Sequence, residues 1–144
     1  MLFRSWTWEH LALTRARVIS ASPAFRREIE RIIREVLTRP RDAASVATDV
    51  ADMRRAVALE KGEDDIWDLK YAAGGLVDID FIAQYLQLVH AAEKPDILDV
   101  STLQVLDNAA RLGVLPAASA EILRGAARLY HDLTQILRLC VSEK

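Results

Sequence analysis

The chain has 144 residues, of which 51% are hydrophobic and 28% charged, with a formal net charge of −2. That is enough chain for one domain with a core, and the near-neutral balance gives no electrostatic footprint for nucleic acid. The single cysteine, Cys140, excludes an internal disulfide framework and suits a reducing cytosol, so the expected location is cytoplasmic. No apolar run reaches the roughly 18 residues of a membrane span, and the opening Met1-Leu2-Phe3-Arg4-Ser5-Trp6 has no signal-peptide pattern. Glycine (5) and proline (4) are scarce while alanine and leucine abound. The composition predicts an all-α bundle of about six helices, a single helical domain over 1–144.

The first helix is expected from Thr7 to Ser20. Trp8, Leu11, Ala12, Val18 and Ile19 share one face, and Arg15 projects into the middle of it. Arg17 lies on the other side with Trp6 and Leu13, so both faces carry large apolar groups. Ser22-Pro23 supplies an N-cap and a first-turn proline for a second helix. Its buried stripe is expected to be Phe25, Ile29, Ile32, Ile33 and Val36, and its wet face includes Glu30 and Arg34, paired at i, i+4. Asp42 can cap a third helix, Ala43 to about Lys61, with the stripe Val46, Val50, Met53 and Val57. Arg54 and Arg55 follow Asp49 and Asp52, which offer local compensation. Gly62 ends the helix, and Glu63-Asp64-Asp65 forms an acidic surface turn. Ile66 to Tyr71 alternates loosely and is expected to be extended.

Gly74-Gly75 then opens the most apolar helix, about Leu76 to Ala92, which Lys94-Pro95-Asp96 terminates. At about 100° per residue, Asp80, Gln84 and Gln87 form a polar stripe, whereas Asp78 falls among Ile82, Tyr85 and Val89. A carboxylate on an apolar face is costly unless paired. Asp78 is therefore expected to form an inter-helix ion pair with Arg15, or a bond to Lys70. A short helix capped by Ser101 or Thr102 carries Leu103, Leu106 and Ala110 and ends at Gly113. The last helix, about Ala117 to Val141, has the stripe Ile122, Ala126, Leu129, Leu133, Ile136, Leu137 and Cys140, with Cys140 read as a small core residue. Arg124, Arg128, His131, Gln135 and Arg138 form its opposite face.

Few residues here suggest chemistry. His10, His90 and His131 lie on three helices without metal-type spacing. No serine or cysteine sits in a nucleophile elbow, and Leu76 after the glycines excludes a Walker-type loop. The glycine pair has two readings: a tight turn in which backbone approaches backbone, or a helix N-terminus presenting N–H groups to an anion. Asp78 and Asp80 oppose the second by repelling a phosphate. At i, i+2 on a helix the two carboxylates point about 160° apart, so no metal site and no catalytic residue is expected in this chain.

Two stretches resemble one family: Trp6-Thr7-Trp8-Glu9-His10-Leu11-Ala12-Leu13-Thr14-Arg15-Ala16-Arg17, and Trp67-Asp68-Leu69-Lys70 followed by the run from Gly74 to Tyr85. Thr38 to Asp42 and Asp49 to Arg54 also fit. Together they resemble the bifunctional glutamine synthetase adenylyltransferase/adenylyl-removing enzymes, in the helical region after the C-terminal nucleotidyltransferase domain. The PII-uridylyltransferases carry a related helical domain. Asp80 stands where the family commonly has glutamate, and Tyr71-Ala72-Ala73 replaces a more basic or proline-containing link.

The resemblance implies a nucleotidyltransferase-associated helical domain, separated from its catalytic domain and inactive alone. The intact enzyme would use ATP and Mg²⁺ to transfer AMP to a tyrosine of glutamine synthetase, regulating nitrogen metabolism. Arg17 foremost, then Arg15 and Lys70, would contact the nucleotide or the missing nucleotidyltransferase domain, against which Trp6 and Leu13 would pack. Glutamine synthetase and the PII signalling protein are the implied partners. The alternative is a non-catalytic module that docks either protein and never touches nucleotide.

Overall fold

The computed structural model describes residues 7–140; Trp6 lies outside them. The regular structure among the described residues is all helical, without a strand. The helices are α1 (Thr7–Leu13), α2 (Pro23–Leu37), α3 (Ala43–Lys61), α4 (Leu76–His90), α5 (Thr102–Arg111) and α6 (Ala117–Cys140), with a 3-10 turn at Pro95–Ile97.

Local side-chain chemistry sets the early boundaries. The Ser22 hydroxyl accepts the Phe25 N–H at 3.4 Å, and the Asp42 carboxylate accepts the Ser45 N–H at 2.8 Å. The Ser45 side chain first, and then this N–H bond, hold the Asp42 carboxyl below the usual carboxylate range. The Arg41 guanidinium donates to the Leu37 and Val36 carbonyls at 3.0 and 2.8 Å. It thereby bonds the Leu37 carbonyl at the end of α2 and adds a second donor to the Val36 carbonyl, which also accepts the Arg39 N–H at 3.4 Å.

Two segments differ from expectation. Helix α1 stops at Leu13, seven residues before Ser20. The buried Thr14 hydroxyl donates to the Leu11 carbonyl at 2.7 Å, a local bond that competes with helix continuation. Arg26 takes the Val18 carbonyl at 2.8 Å, so Val18 and Ile19 never join the α1 face. The segment from Ile66 to Tyr71 is a pair of turns, not extended. Asp65 accepts the Trp67 N–H at 2.9 Å, and Asp68 accepts those of Lys70 and Tyr71 at 3.1 and 3.2 Å. Aspartates that bond backbone two residues on favour such turns.

Helix α4 runs through three apolar clusters. Leu88 packs with Leu11, Leu37 and Val46. Ala83 and Leu86 pack with Ile97, Val105 and Ala109. Ile79 packs with Leu106 and Ala127. The α4 polar stripe is only partly wet: Asp80 and Gln84 are half-buried and Gln87 is buried. Gln87 is 2% exposed, and its side-chain oxygen accepts the Asp99 N–H at 3.1 Å, fastening the lead-in to α5.

The apolar stripes of α2 and α6 are largely unburied. Phe25 and Ile32 stand in solvent, and Leu37 is the buried residue of α2. Arg34 does not pair with Glu30, which faces Arg26 instead. In α6, Ile122, Leu129, Leu133, Ile136 and Leu137 are exposed, and Cys140 is exposed rather than core. A second face wins: Ala120 and Ala127 are buried, and Leu123 and Tyr130 pack against Ile79 and Leu106. Its small residues let α6 approach closely, which a leucine stripe would not. Arg124, read as part of a polar face, pairs with Asp107 on α5 at 2.7 Å.

Burial, and next to it the Arg41 charge, holds the His10 pKa below its ordinary value. The unfolded chain therefore protonates His10 first as pH falls. Its contribution is complete above about pH 6.5 and is lost as pH drops from there through the lower folded value. His10→Gln is expected to flatten the fall in urea midpoint between about pH 7 and about pH 5. An unchanged slope contradicts this.

Candidate functional site

The glycine pair and the first turns of α4 bring the motif residues together. Gly74 has φ 79, a left-handed conformation that favours glycine. Gly75 is needed for space. A side-chain carbon there would sit 2.8 Å from both the Ala72 and Leu69 carbonyl oxygens and 3.2 Å from that of Lys70. Of the two sequence readings, the backbone-on-backbone turn is the one observed. The Gly75, Leu76 and Val77 N–H groups donate to the carbonyls of Ala72, Leu69 and Lys70 at 2.8, 3.0 and 3.1 Å. The N–H groups that a helix start ordinarily offers to an anion are thus already engaged.

The two carboxylates take different arginines. Asp78 bonds Arg54 of α3 through Nε, and Arg54 Nη2 lies 3.4 Å from the second Asp78 oxygen. The Gly74 N–H donates to Asp78 at 2.6 Å. Arg54 also reaches the Tyr71 carbonyl and the Glu63 carboxylate, each at 3.2 Å. Its side chain is 16% exposed, and the bond to Asp78 raises its pKa further. Asp80 accepts from Arg15 Nη1 at 2.7 Å and from the Thr102 hydroxyl at 2.5 Å.

The expected Arg15–Asp78 pair is therefore corrected: Arg15 belongs to Asp80, and Arg54 supplies Asp78. Because α1 ends at Leu13, Arg15 leaves the helical face from which it was projected. The local compensation expected for Arg54 goes elsewhere: Asp52 pairs with Arg55 at 3.0 Å, and Asp49 accepts the Thr7 hydroxyl. Arg54 was legible in one respect. It stands four residues after Val50 and three before Val57, on the apolar stripe of its own helix.

Lys70 does not reach Asp78; its Nζ lies 4.7 Å from the centre of the Tyr71 ring. Arg17 is exposed, and among the described residues it has no ion-pair partner. Leu13 is half-buried and packs on the Leu11–Leu88 cluster, so it is only partly available to a neighbour. Engaged with arginines on different elements, Asp78 and Asp80 do not fit a divalent metal. Among the described residues no group of three His, Cys, Asp or Glu side chains could hold one. No helix among them is long and apolar enough to cross a membrane.

Residues 48–144 match the family model described as GlnD PII-uridylyltransferase. Over 140 residues, 97% of this chain, the sequence is 78% identical to bifunctional glutamine synthetase adenylyltransferase/adenylyl-removing enzymes of Rhodopseudomonas palustris (strain BisB5) and Bradyrhizobium diazoefficiens. The enzyme of that name from Xanthobacter autotrophicus is 54% identical over 137 residues, 95% of this chain. The chain spans about 14% of the length of these relatives. It belongs to the GlnD PII-uridylyltransferase family, and the relatives it resembles along nearly its whole length are the bifunctional glutamine synthetase adenylyltransferase/adenylyl-removing enzymes.

Proposed function

We propose that this chain is the helical companion domain of an enzyme that transfers AMP from ATP to glutamine synthetase. The observation that carries the reading is the 78% identity over 97% of the chain to relatives named for that activity. ATP and Mg²⁺ would be held by a catalytic unit elsewhere in the polypeptide, since both carboxylates of the α4 motif are engaged with arginines. In this reading the motif builds a rigid wall for the catalytic cleft. The Arg15–Asp80–Thr102 bonds fix the segment after α1, and Arg17 projects from it two residues later. Arg17, which has no ion-pair partner among the described residues, would meet the phosphates or the catalytic unit.

In the full-length enzyme, Arg17→Ala is expected to lower AMP transfer ten- to a hundredfold, the effect of losing a hydrogen bond to a charged group, about 1.5–3 kcal/mol. The melting temperature is expected to stay put, because Arg17 is exposed. Unchanged transfer and unchanged ATP affinity would overturn the contact. The exposed leucines and isoleucines of α6 favour a second reading, in which these helices dock glutamine synthetase or the PII protein without touching nucleotide. That reading requires capture of one of the two proteins by the chain, and AMP transfer unaffected by Arg17→Ala.

A further inference from the structure

Beside Arg17 lies a groove of about 330 Å³ between the α1–α2 connection, α2 and the segment before α5. Leu13, Ile33, Leu98 and Val100 line its apolar floor, and Arg17 and Arg34 stand among its walls. Of the other ionic groups there, Arg26 and Glu30 offset each other, and Asp99 leaves the lining one positive charge in excess. Arg26 donates to the Val18 carbonyl at 2.8 Å and faces Glu30 at 3.9 Å, and Asp99 accepts the Ser101 N–H at 2.8 Å. Arg17 and Arg34 have no ion-pair partner among the described residues. An apolar floor with two free guanidinium groups matches a segment that carries carboxylates next to an apolar side chain.

We propose that this groove seats an acidic, apolar-tipped segment of the same polypeptide, from outside these 144 residues. The proposal deepens the companion-domain reading and rests on it. The matching relatives are about seven times longer, since the chain spans 14% of each. A segment of the same polypeptide is tethered to the groove and competes for it at an effective concentration set by its linker, an advantage that a separate protein lacks.

The test uses the full-length protein with Val100→p-benzoylphenylalanine, Val100 being a half-exposed floor residue. Irradiation and peptide mapping are expected to give a crosslink within one polypeptide, to a peptide outside these residues with Asp or Glu beside an apolar side chain. Arg34→Glu in the same background is expected to lower the yield about fivefold or more, and Arg34→Lys to retain most of it. No crosslink, a crosslink to a separate molecule, or one to a peptide lacking carboxylates overturns the proposal. AMP transfer by the unsubstituted enzyme is measured alongside. Transfer without the crosslink removes the groove proposal alone, whereas absence of transfer removes the companion-domain reading.

Discussion

Asp78→Ala is expected to destabilise the fold by about 3 kcal/mol, the lower end of the cost of breaking a buried ion pair. The lower end applies because the Asp78 side chain is still 25% exposed. The variant leaves Arg54, 16% exposed, with the Glu63 carboxylate and the Tyr71 carbonyl but without its bidentate partner. It also removes the acceptor of the Gly74 N–H. Asp80→Ala should cost about 1 kcal/mol, since its partner Arg15 is 50% exposed and returns to water. Urea denaturation compares the two, and equal small shifts would refute the ranking. A double variant sharpens the comparison. Asp78→Ala with Arg54→Met should be less harmful than Asp78→Ala alone, because it leaves no orphaned charge.

Gly75→Ala is expected to be the more damaging of the two glycine substitutions, by about 2–3 kcal/mol in total. The new carbon would meet two carbonyl oxygens at 2.8 Å, and these are backbone atoms that cannot swing aside. Those carbonyls also receive N–H groups of Gly75 and Leu76, so moving them loosens the first turn of α4. Gly74→Ala meets nothing within 4 Å and carries only the strain of its positive φ, about 1–2 kcal/mol. Calorimetry ranks the pair, and hydrogen exchange at Leu76 and Val77 locates the damage. Were Gly74→Ala the worse variant, conformation rather than space would govern this turn.

Much of the fold could be read before any coordinates. The serine and aspartate caps, the start of α4 and the glycine stop of α3 are local signals, and each lies where its residues predict. What the sequence left open depends on long-range choice. The helical projection separated Asp78 from Asp80 correctly, but three arginines were available, and only packing assigns them. Periodicity marked the leucine stripe of α6, yet that helix carries a second face of small residues, and close approach selects it. In α2 the stripe is real but only part of it finds cover: Ile33 packs on the core, while Phe25 and Ile32 stay exposed. The motif residues were legible as a group; that their joint task is to fasten α3, α5 and the α1–α2 connection to one helix was not.

Helix α4 is fifteen residues long, a rod of about 22 Å. Each of the three small apolar clusters uses a different part of it. None of them is large enough to hold its elements without that shared member. The arrangement is that of a spindle rather than a layered stack: Asp80 towards one end and Leu88 towards the other belong to one helix, and the surrounding elements are each fastened to it.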